Sequence, residues 1–150
     1  MISNESLLWE VRAFVYSHFA DTTRPPGVNE TAGHFNIDIG QAGELYTELH
    51  NRHVFLLEPD TLTVRMANPF SGVQTDFRVG ANGKTYFANC AWDMLGIPIA
   101  LQGDATIQAI CSDSHEMVKL QVRHGQVSAS DLRIHFPIPF AQWYDDLVFT

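Results

Sequence analysis

The stretch Tyr86-Phe87-Ala88-Asn89-Cys90-Ala91-Trp92-Asp93-Met94-Leu95-Gly96-Ile97-Pro98 decides how this chain is read. Its first residues close an apolar run that reads as a strand. The rest reads as a short helix that stops near Gly96-Ile97-Pro98. One of only two cysteines stands three residues before an aspartate. With a helix beginning near Cys90, that offset puts the thiol and the carboxyl on one face. A thiol at a helix N-terminus feels the positive end of the dipole, so its pKa is expected to fall. A soft nucleophile beside a proton donor suits chemistry on a metal or a soft electrophile. On spacing alone, a small buried cysteine and an aspartate capping the helix is the plainer account.

Upstream of this stretch, Thr75–Val79 and Lys84–Ala88 flank Ala81-Asn82-Gly83, a strong hairpin signal. Downstream, Ala105–Ile110 and Met117–Val122 alternate apolar and polar residues, and His124-Gly125-Gln126 turns the chain. Leu132–Pro139 is a further strand candidate, with Pro137 and Pro139 confining its end to a sheet edge. The N-terminal half reads differently. Leu7, Leu8, Val11, Phe14, Val15 and Phe19 recur at helical spacing, with Ser3 or Asn4 as cap, until Arg24-Pro25-Pro26-Gly27 ends the helix. A short helix over Val28–Phe35 and a third over Ile39–Asn51 follow. Strands are then expected over His53–Leu57 and Thr61–Met66, around Glu58-Pro59-Asp60.

Three helices and a hairpin are the order of a winged helix-turn-helix. The segment Ala67–Gly72 looks like a joint, punctuated by Pro69 and Gly72. The fold expected is α+β: a winged-helix-like module over 1–70, then a small mixed or antiparallel sheet module over 71–150 carrying the short motif helix.

The charge balance narrows the partners. The net charge is −8, and the nine Lys and Arg are scattered. The exposed positions expected on the third helix, Gln41, Glu44, Thr47, Glu48 and His50, carry two acids and no Lys or Arg. Phosphate repulsion therefore disfavours nucleic acid, and the winged-helix half is read as structural. No apolar run approaches a membrane span, and Met1–Glu10 carries no secretory pattern. Two cysteines make no disulfide framework, so free thiols and a cytoplasmic setting are expected.

The segment Tyr86–Leu101, YFANCAWDMLGIPIAL, resembles the core motif of the alkylmercury lyase family. The likeness continues more weakly through Cys111 to His135-Phe136. It implies that Cys90 binds the metal of an organomercurial and that Asp93 delivers a proton to the leaving carbon. It also implies a structural Cys111 and a pocket position for His135. One departure is plain. The family's second mercury-binding cysteine precedes its His-Phe pair, where this chain reads Ser130-Asp131-Leu132-Arg133. An external thiol would supply the missing ligand.

A second cluster and one tryptophan also carry candidate chemistry. Cys111-Ser112-Asp113-Ser114-His115-Glu116 places a thiol and an imidazole four residues apart, a candidate soft-metal site, against a plain reading as a buried thiol at a strand end. Trp92 either lines a pocket beside the thiol or fills core. The metal candidates are thus Cys90, Asp93 and Cys111, and the pocket candidates are Trp92 and His135.

The leading expectation is a lyase acting on a carbon–mercury bond. It needs no resident cofactor, takes the soft metal ion as substrate and product, and passes that ion to low-molecular-weight thiols. The alternatives are a soft-metal (mercury or copper) binder without turnover and a metal-responsive winged-helix regulator.

Overall fold

The computed structural model describes residues 4–128 and 131–149. Ser3, one of the two expected caps, and Ser130, the first residue of the stretch that lacks the family's second cysteine, lie outside them.

Helix α1 spans Asn4–Thr22 and buries Leu8, Val11, Val15 and Phe19, one stripe at helical spacing. Helix α2 spans Val28–Phe35. Its start is fixed by Glu30, whose carboxylate accepts from the Gly27 N–H at 2.8 Å and pairs with both terminal nitrogens of Arg24. Helix α3 spans Ile39–Asn51, capped by Asp38, which accepts from the Gln41 N–H at 2.9 Å. The buried Tyr46 hydroxyl locks the two helices together, donating to the Pro26 carbonyl and bonding Thr31 Oγ1 at 2.7 Å. Burial pushes this phenol up to about 12.

A three-stranded antiparallel sheet follows, with strands β1 (Leu56–Leu57), β2 (Val64–Ala67) and β3 (Phe70–Ser71) in that order. The strand expected over His53–Leu57 shrinks to two residues. The end of α3 uses the others: the His53 and Val54 N–H groups bond back to the His50 and Leu49 carbonyls, with His53 at a φ of 59°. Likewise Thr61 and Thr63 are spent closing the turn onto Glu58, so β2 begins only at Val64.

The second sheet is purely antiparallel, in the order β5-β4-β6-β7-β8. Its strands are β4 (Arg78–Ala81), β5 (Lys84–Phe87), β6 (Ala105–Ile110), β7 (Met117–Arg123) and β8 (Gln126–Val127). Two-residue turns join β4 to β5 and β7 to β8. Asn82-Gly83 and His124-Gly125 all take positive φ, as such turns require. Strand β6 buries Ala105, Ile107 and Ala109 on one face. Helix α4 (Asp93–Leu101) buries Met94 and Ile97.

The expected joint around residue 70 is core instead. Phe70 is buried, stacks on Phe19 of α1 at 5.4 Å and tilts against Tyr86 of β5 at 5.7 Å. The Tyr86 hydroxyl also donates to the Ala20 carbonyl at 2.6 Å. One hydrophobic cluster therefore runs from α1 to β7 across position 70.

Among the described residues, 131–139 form no strand where one was expected over Leu132–Pro139. Two prolines there lack the N–H a ladder needs. A 3₁₀ helix over Phe140–Asp145 follows, steadied by Trp143 Nε1 donating to the Ile138 carbonyl at 3.1 Å.

Candidate active site at the start of helix α4

Strand β5 ends at Phe87, and the chain turns through Asn89-Cys90-Ala91-Trp92 before α4 begins at Asp93. The helix thus starts three residues later than the sequence suggests. Cys90 stands in the turn, and its carbonyl accepts the Met94 N–H at 3.1 Å. The short turn still brings the two side chains together. The Cys90 thiol lies close enough to the Asp93 carboxyl, and to the backbone N–H groups of Trp92 and Asp93, for each of them to act on its pKa.

The expected lowering of the Cys90 pKa is overturned. Burial pushes the thiol up, the Asp93 charge adds to that, and the two N–H groups oppose it without prevailing. Cys90 is half-buried and holds its proton more firmly than an ordinary thiol. Asp93 is 7% exposed. Burial raises its pKa too, against the hydrogen bonds from Asn89 and Cys90.

Asn89 and Tyr16 lie near the carboxyl, and Phe70 and Asn68 flank Asn89. Asn89 Nδ2 donates to Asp93 Oδ2 at 3.0 Å and to the Phe70 carbonyl at 3.1 Å. Asn68 Oδ1 stands 3.5 Å from the same nitrogen. From α1, Tyr16 is close enough that the Asp93 charge raises its phenol, after burial, the larger cause. Its hydroxyl donates to the Val54 carbonyl at 3.3 Å. Sequence reasoning gave none of these a role. Only Asn89 carried a local signal, its four-residue offset from Asp93. Tyr16, Asn68 and Phe70 arrive through tertiary packing.

The remaining candidates lie elsewhere. Cys111 ends β6 in a turn closed by its own N–H to the Glu116 carbonyl and by the His115 N–H to the Cys111 carbonyl, both at 2.9 Å. Ser114, through its N–H and then its hydroxyl, draws the Cys111 pKa below the ordinary thiol value. This thiol is half-buried, not sealed in core. Among the described residues no three His, Cys, Asp or Glu side chains gather closely enough to hold a metal ion, so Cys111 does not join Cys90 and Asp93.

Trp92 is not core: it is 58% exposed, with Phe136 of the C-terminal segment 6.2 Å away, ring to ring. It lines a cavity of about 660 Å³ between Leu95 and Ile99 of α4 and Val122, His124 and Val127 of the β7–β8 hairpin. That cavity touches neither Cys90 nor Asp93. His135 is exposed, and it lines neither this cavity nor the one described next. The second cavity, of about 620 Å³, lies between the β1–β2 hairpin and the C-terminal segment, and Asn68 is on its wall.

The alkylmercury lyase (MerB) family model matches residues 70–149, which include the whole turn and α4. Among solved structures, the mercury-bound form of MerB2 is similar, with a TM-score of 0.64 at 21% identity. The superposition covers 85% of this chain and 65% of that one. A comparison with curated proteins finds no match. Among the described residues, no helix is long and apolar enough to cross a membrane.

Proposed function

Because this chain belongs to the alkylmercury lyase family, we propose that it cleaves carbon–mercury bonds by protonolysis, with Cys90 capturing the metal and Asp93 carrying the proton. The observation that carries this reading is the proximity of the Cys90 thiol to the Asp93 carboxyl, in a place where burial raises the pKa of each.

A thiol that keeps its proton must lose it to bind mercury. The adjacent carboxylate takes that proton as the sulfur–mercury bond forms and the substrate's other ligand departs as an anion. Asp93 is now a carboxylic acid next to the metal-bound carbon. Its O–H bond breaks, a C–H bond forms, and the electron pair of the carbon–mercury bond becomes that C–H bond. Hydrocarbon leaves, and mercury(II) stays on Cys90 with the carboxylate restored beside it. Burial helps the first step, since a carboxylate in a poorly hydrated site takes up the thiol proton more readily and keeps it until the carbon receives it. With no second thiol gathered at Cys90 and Asp93 among the described residues, small external thiols complete the mercury coordination and carry the ion away.

The test is benzene release from phenylmercury in excess thiol. Wild-type protein should turn over, and Cys90→Ser should lose both mercury capture and benzene. Stoichiometric uptake of phenylmercury by wild type with no benzene would instead favour the soft-metal binder.

A further inference from the structure

The Asn89 amide is held in one orientation by what surrounds it. Its Nδ2 has two hydrogens and faces three acceptors: the Phe70 carbonyl at 3.1 Å, Asp93 Oδ2 at 3.0 Å and Asn68 Oδ1 at 3.5 Å. A flipped amide would set an oxygen against the Phe70 carbonyl, which has no hydrogen to offer. The cost of the observed orientation is visible, because Asn89 Oδ1 is buried without a hydrogen-bond partner. An amide that leaves its own oxygen unsatisfied is being held for its nitrogen.

The two carboxyl oxygens of Asp93 are therefore unequal. Oδ2 receives an N–H, so it must act as an acceptor. A carboxylic acid has one hydroxyl and one carbonyl oxygen, and the carbonyl oxygen is the better acceptor. We propose that Asn89 is a positioning residue: anchored on the Phe70 carbonyl, its amide fixes Asp93 Oδ2 as the acceptor oxygen and confines the transferable proton to Oδ1. The inference rests on the proton-carrying role given to Asp93 above. It adds that the acid cannot swing its proton from one oxygen to the other, so each delivery starts from one geometry. Misplacing a reacting group by about 1 Å costs on the order of 100-fold in rate. Releasing the carboxyl from its amide is expected to approach that loss without touching metal capture.

The experiment compares Asn89→Leu with wild type, and Asn89→Ala replaces it should the larger side chain not fold, as judged by near-ultraviolet circular dichroism. Single-turnover benzene release is expected to fall about 10- to 100-fold, with phenylmercury affinity unchanged within about twofold. Cleavage at the wild-type rate would overturn the proposal, and so would a matching loss of affinity. A spectroscopic readout stands apart from turnover. The Asn89 side-chain amide resonances in a ¹⁵N–¹H spectrum should move on Asp93→Ala, while those of Asn51 and Asn82 stay in place. Stationary Asn89 resonances overturn the proposal. If wild type captures phenylmercury without releasing benzene, the proposed function fails, and these resonances alone decide whether Asn89 holds the carboxyl.

Discussion

Asp93 stands where its ionised form is penalised, and the sign of that penalty can be followed through pH. Its folded-state pKa is raised, chiefly by burial, above the ordinary value of 3.8. The folded chain thus binds this proton more tightly than the unfolded chain does. The stabilisation is complete below the unfolded pKa and is lost as pH rises through the folded one. Asp93→Asn cannot ionise and escapes the loss, while its amide oxygen still accepts from Asn89. The variant should match wild type in urea denaturation near pH 3 and exceed it at pH 7. Its benzene release should fall by about 10²- to 10⁴-fold, the usual contribution of a positioned proton donor. Placement of thiol and acid on one local turn was readable from a three-residue offset. The direction of the thiol's pKa was not, because burial and the neighbouring charge depend on packing that a local pattern does not contain. The lowered thiol turned out to be Cys111, where Ser114 serves it within a four-residue turn.

Among the elements, the first helix was legible because its apolar residues recur at helical spacing, as the buried Leu8, Val11, Val15 and Phe19 show, whereas the caps of α2 and α3 at Glu30 and Asp38 emerge from the structure. The short strands were not legible. A two-residue strand such as β3 has no period to read, and Pro69 and Gly72 on either side of it imitate a linker. The position of Gly72 shows what β3 does. A Cβ there would collide with the Val64 carbonyl and crowd the Arg65 carbonyl and Pro25, because the chain passes close beneath β2 as it leaves β3. The Gly72 N–H uses that approach to donate to the Arg65 carbonyl at 2.7 Å. Gly72→Ala should therefore cost about 1–3 kcal/mol, in the range of other overpacked sites. Chemical denaturation would measure it. A neutral result would mean that the strand path gives way easily.

Across the whole molecule, the two halves share one interior. Phe70 lies between Phe19 and Tyr86, and Tyr86 is tied to the end of α1. Thermal unfolding should accordingly be a single transition by far-ultraviolet circular dichroism and by tryptophan fluorescence, since shared packing makes separate melting costly. Phe70→Ala should lower stability by about 3–5 kcal/mol, moving both signals together. Two resolved transitions would show that the halves hold together independently. Charge also acts at this scale. Arg52, just past the end of α3, has its charge engaged by Glu48 of that helix and Glu5 of α1. The acidic balance read from the sequence thus persists in the folded surface of this helix.

Phe70 contributes to the site through its main chain and to the interior through its ring, and these two legacies are exposed to change very differently. Every amino acid brings the same peptide oxygen, so no codon substitution at position 70 deletes the anchor of Asn89. Drift there can erode only the ring. The tether of the acid is in this respect insured against point mutation, and a lineage would lose it only by rerouting the strand itself.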